Sequence, residues 1–493
     1  MPLQTLLNDL GGAGKKAGRS RQQRLYDLLR RAILDGVLPQ GWSLPGSREM
    51  ARGLGLSRNT VIYAFELLRA EGFVLSDRRG TRVATLTLAA PQERTGNGTE
   101  PLKLSVRGQQ MGIERHGGEH LPFAAGVPDV NLFPWRQWFK HLEHAWKSVG
   151  ARHLAYAPIG GERRLREAIA MQLGITRGIS CTADQVLVTS GAQTAIDVCG
   201  RLLADQGDVA WIETPGYPSA RAILGASGLK LVDVPVDADG MAASPALWRC
   251  HPPKLILVTP SHQYPMGGVM PLERRIQLLG HAQRHQSWIV EDDYDCDLQH
   301  TGAVIPAIQS LAAQSAVVYV GTFSKSLYPG LRIGYLVLPA WICKRFSEAV
   351  QPLFTPGQAL EQLALARFME SGDLARHLRR MRGVYRERQQ CMRDQLEQHF
   401  GDRVRILGGN AGVHLTCVFA PGTDDVAIAR RAATLGVTAR PLSGYGSQGV
   451  NRTPIPGLVL GYGVADVQQI RQLIPRLRQA YDDLIHPQAA AMR

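Results

Sequence analysis

Beyond residue 120 the chain alternates short apolar runs, rich in β-branched residues, with helical stretches. The clearest runs cover residues 186–188, 209–212, 255–258, 288–291 and 316–320. Strands of this kind, separated by helices, indicate a mainly parallel sheet that is covered on both faces. Ligands of such sheets bind at the carboxyl ends of the strands. The fold class is therefore α/β, and the residues that follow these runs are expected to carry the chemistry.

Polar motifs follow three of these strands. After the first run, Ser190, Gly191 and Ala192 open a helix, where free backbone N–H groups and the helix dipole suit a phosphate. After the fourth run comes an acidic cluster at 291–295, whose mutual repulsion would be costly without a cation. The fifth run is followed by Thr322, Ser324 and Lys325, with Arg332 seven residues further on.

A phosphate cradle, a carboxylate and a strand-end lysine together fit one cofactor, pyridoxal phosphate. Lys325 is expected to form the Schiff base, Asp292 to pair with the pyridinium nitrogen, and Tyr294 to hydrogen-bond the ring hydroxyl. The phosphate site is expected to comprise Ser190, Gly191, Ala192, Thr322, Ser324 and Arg332. The alternative for each motif alone is a surface Ser-Lys pair or a solvated acidic cluster.

The first 84 residues have the order helix, turn, helix, hairpin, which is that of a winged helix-turn-helix. Ser47 is placed to cap a short helix that runs to Leu54, and Ser57 to cap a third helix. In this motif the N-terminal residues of the third helix enter the major groove. Two short strands at 73–75 and 81–84 complete the wing.

Several residues of this region are candidates for DNA contact. Base reading is expected from Ser57, Arg58, Asn59 and Thr60, and phosphate contact from Arg48, Arg79 and Arg82, together with Arg78. Residues 1–84 hold fourteen Lys or Arg and seven Asp or Glu, so they contribute +7 of the chain's +14. Such a field favours polyanions, although a solvated basic face is the alternative.

The domain boundaries follow from where the periodicity fades. We expect a DNA-binding domain at 18–84, a flexible linker at 85–120 and a large domain at 121–485, the alternative being that 85–120 is a loop of one compact domain. The seven cysteines are scattered without a metal-like spacing. No apolar stretch is long enough for a membrane helix, no secretory signal precedes the domain, and a cytoplasmic location without a bound metal is expected.

The N-terminal domain resembles the GntR family of regulators. The resemblance rests on four sequence motifs: LPGSREMA at 44–51, LSRNTV at 56–61, EGF at 71–73 and GTRV at 80–83. Gly46 and a short wing depart slightly from that pattern. The large domain is similar to fold-type I aminotransferases, with YAPIG at 156–160, the stretch 213–218 and Ser324-Lys325.

Together the two parts resemble the MocR-type branch of the GntR regulators. The sequence motifs of that branch closely match residues 259–265 and 291–295 of this chain. This resemblance implies a head-to-tail homodimer, DNA and a small amine or amino acid as partners, and a small C-terminal α+β subdomain. It also implies that Tyr217 stacks on the cofactor ring and that Tyr156 reaches the phosphate of the cofactor in the partner subunit.

Two positions depart from the family pattern. Aminotransferases commonly place an arginine for the substrate carboxylate in the late strand, here 458–462, and none is present. Arg440, and after it Arg452, are the nearest candidates for binding an effector carboxylate. Met266 stands where this family usually has Ser or Thr, so the effector is expected to differ from those of relatives or to be pyridoxal phosphate itself.

Three functions remain open on the sequence. The first is a regulator that senses an amine through its cofactor, with weak transamination as a possible remainder. The second is a true aminotransferase that acquired a DNA-binding domain, which the missing arginine disfavours. The third is a DNA-binding protein whose large domain serves only dimerisation, which the presence of Lys325, Asp292 and Arg332 disfavours.

Overall fold

The computed structural model describes residues 20–78, 80–85, 104–110, 121–155, 158–300, 306–312, 314–446 and 454–485. The chain divides into two compact units, Met1–Leu102 and Lys103–Arg493. The division falls inside the range predicted as a linker, most of which lies outside the described residues. The expected boundaries at residues 84 and 120 stay predictions. No helix within the described ranges is both long and apolar enough to cross a bilayer.

The first unit is a winged helix-turn-helix. Its elements are α1 (Arg21–Leu34), β1 (Ser43–Leu44), α2 (Ser47–Leu54), α3 (Arg58–Ala70), β2 (Val74–Asp77) and β3 (Gly80–Val83). The three strands form an antiparallel sheet in the order β1-β3-β2. Leu25, Leu29, Val61, Ala64 and Leu68 meet in its core, which is why α1 and α3 repeat apolar residues every three or four positions.

The helix caps of this unit agree with the sequence at one position and differ at another. Ser57 caps α3, and its Oγ accepts a hydrogen bond from the Thr60 N–H at 3.2 Å. The expectation that Ser47 caps α2 is wrong, because the helix already includes Ser47 and its cap is Gly46, which has no side chain. Ser47 Oγ instead accepts a hydrogen bond from Arg58 Nε at 3.4 Å.

The second unit contains, in its described part, a large sheet of eight strands covered by helices. The strands are β4 (Val186–Thr189), β5 (Val209–Thr214), β6 (Lys230–Asp237), β7 (Gly240–Met241), β8 (Leu255–Val258), β9 (Trp288–Asp293), β10 (Val317–Thr322) and β11 (Gly334–Val337). Their order is β4-β11-β10-β9-β8-β5-β6-β7. The run from β10 to β6 is parallel, while β11 is antiparallel to both of its neighbours.

Helices connect these strands and cover both faces. They are α4 (Val106–Gln110), α5 (Trp135–Lys147), α6 (Ala151–Leu154), α7 (Arg163–Arg177), α8 (Ala192–Leu202), α9 (Pro218–Ala226), α10 (Pro245–Cys250), α11 (Leu272–Arg284), α12 (Ile308–Leu311), α13 (Cys343–Val350), α14 (Ala359–Glu370) and α15 (Asp373–Phe400). Because the sheet is buried on both sides, β4, β8, β10 and β11 are nearly continuous apolar runs.

The C-terminal part is a smaller antiparallel sheet with helices, as the α+β expectation stated. Its elements are β12 (Arg405–Leu407), β13 (His414–Val418), α16 (Asp425–Thr434), β14 (Arg440–Pro441), β15 (Gly457–Gly461) and α17 (Val467–Ile485). The strand order is β12-β13-β15-β14. An isolated bridge between Phe123 and Gly461 ties the start of the large unit to β15.

Candidate cofactor site and DNA interface

The residues predicted for the phosphate site converge at one edge of the large sheet. Gly191 lies in the turn after β4, with a φ of +91°, and is the residue before α8, whose first backbone N–H groups have no partner within the helix. A Cβ added to Gly191 would lie 3.5 Å from the guanidinium carbon of Arg332. A positive side chain and a helix N-terminus thus meet where a phosphate would bind.

Hydroxyl groups from the end of β10 lie in the same region. Ser324 N–H donates to Thr322 Oγ1 at 3.2 Å, and the Thr322 hydroxyl donates to Ser324 Oγ at 3.1 Å. Lys325 follows directly, and its Nζ donates a hydrogen bond to the backbone carbonyl of Gly126 at 2.6 Å. The sequence missed Gly126, because it lies 199 residues from Lys325 in a stretch without a motif.

The three carboxylates at the end of β9 have different surroundings, and Asp293 is the one with a close ion pair. Asp293 is fully buried and pairs with Arg177, whose Nη2 lies 2.7 Å from Asp293 Oδ2. The Tyr319 hydroxyl also donates to Asp293 at 2.6 Å. These two partners satisfy the charge of Asp293 inside the protein.

Glu291 is held differently. It accepts hydrogen bonds from the N–H groups of Ile308 at 2.9 Å and Gln309 at 3.1 Å, at the start of α12. Its Oε1 also lies 3.8 Å from Arg275 Nη1. Burial nonetheless raises the pKa of Glu291 to about 7.

Asp292 is the one carboxylate of β9 whose oxygen lacks a partner. It is 4% exposed, and its Oδ1 has no hydrogen-bond partner. Burial, followed by repulsion from Asp293 and Asp295, raises the pKa of Asp292 to about 7, against the lowering effect of Lys325. A buried carboxyl in this state lacks a cationic N–H donor, and a pyridinium nitrogen is such a donor.

Aromatic side chains line the adjoining part of the site. The Tyr294 hydroxyl lies 3.0 Å from His262 Nδ1, and Tyr217 accepts a hydrogen bond from Gln193 Nε2 at 3.0 Å. Tyr264 lies between them, with ring centroids 5.5 Å from Tyr294 and 6.0 Å from Tyr217. Tyr294 and Tyr217 therefore share one wall with residues that the sequence assigned no role.

The candidate effector residue lies near that wall. Arg440 is half-buried on β14, opposite Val459 of β15. Burial raises the pKa of Tyr264 well above its usual value, and the charge of Arg440 acts against this shift. Met266 packs in the same apolar cluster as Tyr264. Tyr156, Arg452 and Arg79 lie outside the described residues.

Two side chains that the sequence did not single out stabilise the loop after β8. Glu213, at the end of β5, accepts hydrogen bonds from the N–H of Thr259 at 3.2 Å and from Gln263 Nε2 at 3.3 Å. Burial raises the pKa of Glu213 to about 7. Glu213 and Gln263 stand in stretches that carry the family resemblance, which was the available signal.

In the DNA-binding unit, only some of the residues that were predicted to contact DNA are exposed to solvent. Arg48, Ser57, Arg58 and Asn59 are exposed at the starts of α2 and α3. Thr60 is 8% exposed, and its hydroxyl lies 2.8 Å from that of Ser57, so it supports the helix cap. Arg82 on the wing is half-exposed and pairs with Asp77. The base and phosphate roles of these residues stay predictions.

Comparison with known proteins agrees with this architecture. Residues 21–83 match the family of bacterial regulatory proteins, gntR family, and residues 121–457 match aminotransferase class I and II. The probable rhizopine catabolism regulatory protein MocR of Rhizobium meliloti is 38% identical, over 93% of each chain. The pyridoxine biosynthesis regulator PdxR of Corynebacterium glutamicum is 31% identical, over 93% of this chain and 95% of its own.

A solved structure shares the fold of the large unit. The α-aminoadipate aminotransferase LysN of Thermus thermophilus, complexed with N-(5'-phosphopyridoxyl)-L-leucine, has a TM-score of 0.68 and 28% identity. The alignment covers 74% of this chain and 92% of that one.

The fold, the site and these relatives define a DNA-binding transcription regulator with a pyridoxal-phosphate domain of aminotransferase fold. Its large domain has the fold of an aminotransferase, but its curated relatives of similar length are named as regulators. The chain belongs to the MocR-type branch of the GntR family.

Proposed function

We propose that this regulator holds pyridoxal phosphate on Lys325 and changes its binding to DNA when a small amine or amino acid reaches the site. The observation that carries the proposal is the state of Asp292, a buried carboxyl with an unpaired oxygen beside a strand-end lysine. Leaving such a group without a partner costs stability, so its presence here favours a ligand that supplies one.

The residues present fit this cofactor. Asp292 would pair with the ring nitrogen and Lys325 would hold the cofactor covalently. Arg332 and the helix start after Gly191 would bind the phosphate, because both present N–H donors and positive charge. A Cβ at Gly191 would lie 3.5 Å from the guanidinium carbon of Arg332, so glycine leaves this space open. When bound, pyridoxal phosphate supplies an aldehyde that reacts reversibly with primary amines.

The chain's own residues then couple the site to the DNA-binding unit. Lys325 would hold the cofactor until an amine took its place, and its Nζ could then donate to the carbonyl of Gly126, as it does in the structure. A two-state dimer that binds the amine better in one state shifts toward that state. We propose a head-to-tail homodimer in which this shift changes the spacing of the DNA-binding units, in the cytoplasm, where the operator DNA lies.

Arg440 is the proposed group for an effector carboxylate. It lies on β14 within electrostatic range of Tyr264, which belongs to the wall of the site. A positive charge there favours amino acids over simple amines. Pyridoxal phosphate itself is the alternative effector, and it needs no carboxylate-binding residue.

Binding of an operator fragment, with and without candidate amines, tests the proposal. We expect an active amine to change the DNA affinity of the pyridoxal-phosphate-loaded wild type by about 5- to 150-fold, the range of typical coupling energies. Lys325→Ala should abolish this response, and Arg440→Met should weaken it for amino acids only. A Lys325→Ala variant that responds like the wild type would refute the proposed sensing route.

A further inference from the structure

A buried pair of side chains stands directly behind Tyr294. His262 Nδ1 lies 2.8 Å from Asp295 Oδ2 and 3.0 Å from the Tyr294 hydroxyl, and the rings of His262 and Tyr294 are nearly parallel. His262 is 2% exposed and Asp295 is 4% exposed. Neither residue has a role in the cofactor site as described so far.

The hydrogen bonds determine the tautomer of His262. The carboxylate of Asp295 only accepts hydrogen bonds, so His262 Nδ1 carries a proton, and this proton points toward Asp295. The Tyr294 oxygen lies 3.0 Å from the same nitrogen, and because a protonated Nδ1 has no lone pair to offer, Tyr294 cannot donate to it. The hydroxyl proton of Tyr294 is therefore directed away from His262 and is available to a ligand.

A second histidine completes the cluster without adding charge. His414 on β13 lies 5.1 Å from His262 between ring centroids, and its Nε2 donates to the carbonyl of Pro265 at 3.2 Å. Burial lowers the pKa of His414 to about 3, so it stays neutral. Metal-binding atoms of His262, Asp295 and His414 lie within 4.8 Å of one another, but the 2.8 Å contact of His262 with Asp295 is a hydrogen bond.

The backbone also accommodates the pair. A Cβ added to Gly412, just before β13, would lie 2.1 Å from Asp295 Oδ2 and 2.9 Å from His262 Cε1. Only a glycine lets this segment approach the two side chains so closely. The orientation of His262 is thus fixed by packing from the small sheet as well as by Asp295.

We propose that His262, oriented by Asp295, is a positioning residue that directs the Tyr294 hydroxyl as a hydrogen-bond donor toward the ring oxygen of bound pyridoxal phosphate. The inference rests on the proposed function, because it assigns a support to one residue of that site. It explains why two more buried polar residues accompany the site although they hold no part of the cofactor.

The charges around Tyr294 agree with a donor role. Burial, and then the carboxylates of Asp295, Asp292 and Glu213 together with the Tyr264 hydroxyl, raise the pKa of Tyr294 well above its usual value. The positive charge of Lys325 acts on Asp292 in the same site. Tyr294 therefore keeps its proton throughout the neutral range and can donate it in a hydrogen bond.

The test is a pH titration of the visible absorption band of the pyridoxal-phosphate-loaded full-length protein. A donor to the ring oxygen stabilises its deprotonated form, so its loss raises the titration midpoint. We expect His262→Leu to raise the midpoint by about half a unit to one unit, which corresponds to one ordinary hydrogen bond. His262→Asn keeps a donor at the Nδ1 position and should stay near the wild-type midpoint.

Tyr294→Phe is the reference variant that shows whether His262 acts through the Tyr294 hydroxyl. It should raise the midpoint at least as far as His262→Leu does, and the double variant should equal Tyr294→Phe alone, because His262 acts only through that hydroxyl. An unmoved midpoint in His262→Leu, or additive shifts in the double variant, would overturn the inference. If His262→Leu does not fold, His262→Gln replaces it, because its amide reaches the Nε2 position.

Absorbance of the wild-type protein distinguishes failure of the proposed function from failure of the positioning role alone. A wild-type protein that shows no band with pyridoxal phosphate overturns both the proposed function and this inference. A wild-type band whose midpoint is indifferent to His262 overturns only the positioning role.

Discussion

The Nζ atom of Lys325 lies 2.6 Å from the carbonyl oxygen of Gly126, a residue with a φ of +72°. A Cβ on Gly126 would lie 3.3 Å from that Nζ. The segment that enters the large unit therefore sets the position of the lysine proposed to hold the cofactor.

Gly126→Ala should impair cofactor retention as well as stability. Alanine at a positive φ costs roughly 1–2 kcal/mol of unfolding free energy, and its methyl group displaces Lys325. We expect the affinity for pyridoxal phosphate, measured by absorbance titration, to fall at least about tenfold, which is about 1.4 kcal/mol.

Gly207→Ala is the matched control. Gly207 also has a positive φ, +92°, but a Cβ there would meet nothing within 4 Å. It should lose similar stability in thermal unfolding and keep its cofactor affinity. Equal affinities in the two variants would contradict the role of the Gly126 contact.

Asp292→Asn should stabilise the cofactor-free protein at high pH. Because the pKa of Asp292 is raised to about 7, the folded state holds a proton between about pH 4 and 7 that the unfolded state has released. The wild type therefore loses stability as pH rises through this window, and the asparagine variant lacks this loss.

Thermal unfolding of both cofactor-free proteins at pH 5 and pH 8 measures the difference. We expect the variant's advantage to grow toward pH 8, to on the order of 2 kcal/mol. Glu213 and Glu291, whose pKa values are also raised, remain in both proteins, so the difference between the proteins reports Asp292 together with its interaction with Glu213. The same variant should bind pyridoxal phosphate more weakly; a variant that is no more stable at pH 8 would show that Asp292 is not strained.

Arg177→Ala should destabilise the large unit strongly. It leaves the buried charge of Asp293 without its partner, and breaking a buried pair costs about 3–5 kcal/mol. Arg163→Ala is the control, because Arg163 forms an exposed pair with Glu167 that is worth under about 1 kcal/mol. Urea unfolding that gives similar losses for both variants would contradict this distinction.

The sequence predicted the parallel sheet and the strand-end motifs, because local periodicity and order along the chain carry that information. It did not predict the partners of the acidic cluster, since Arg177 lies 116 residues from Asp293 and only the folded chain brings them together. In the sequence the acidic residues form one charged group. In the structure Arg177 neutralises Asp293, whereas Asp292 has an oxygen without a hydrogen-bond partner. Gly126 and Lys325 are 199 residues apart, so the sequence did not reveal their contact either.

Two neighbouring residues could each have capped α2, which explains why the sequence predicted Ser47 while the structure has Gly46. Ser47 and Gly46 both suit a helix start, and the sequence pattern favoured the residue with a hydroxyl. In the structure the hydroxyl accepts from Arg58 on the next helix, a tertiary contact that no capping rule contains. His262 was likewise visible in a family text, but its link to Asp295 depends on how two loops meet.

DNA binding should separate Arg58 from Arg82. If Arg58 reads a base, Arg58→Ala should cost roughly 1–3 kcal/mol on the operator and relax specificity at one position. If Arg82 contacts phosphate, Arg82→Ala should weaken all sequences alike and reduce the salt slope by about 1. Affinities measured on operator and random DNA at several salt concentrations distinguish them; an Arg58→Ala protein equal to wild type on both DNAs would contradict the groove geometry.

The most direct test of the central claim is to reduce the pyridoxal-phosphate-loaded protein with borohydride and to locate the attached group by peptide mass. The account predicts a visible band that reduction fixes to the peptide containing Lys325, no fixation in Lys325→Ala, and normal fixation in Lys344→Ala, whose lysine is exposed on α13. No band, or fixation at another lysine, would contradict the claim that Lys325 holds the cofactor.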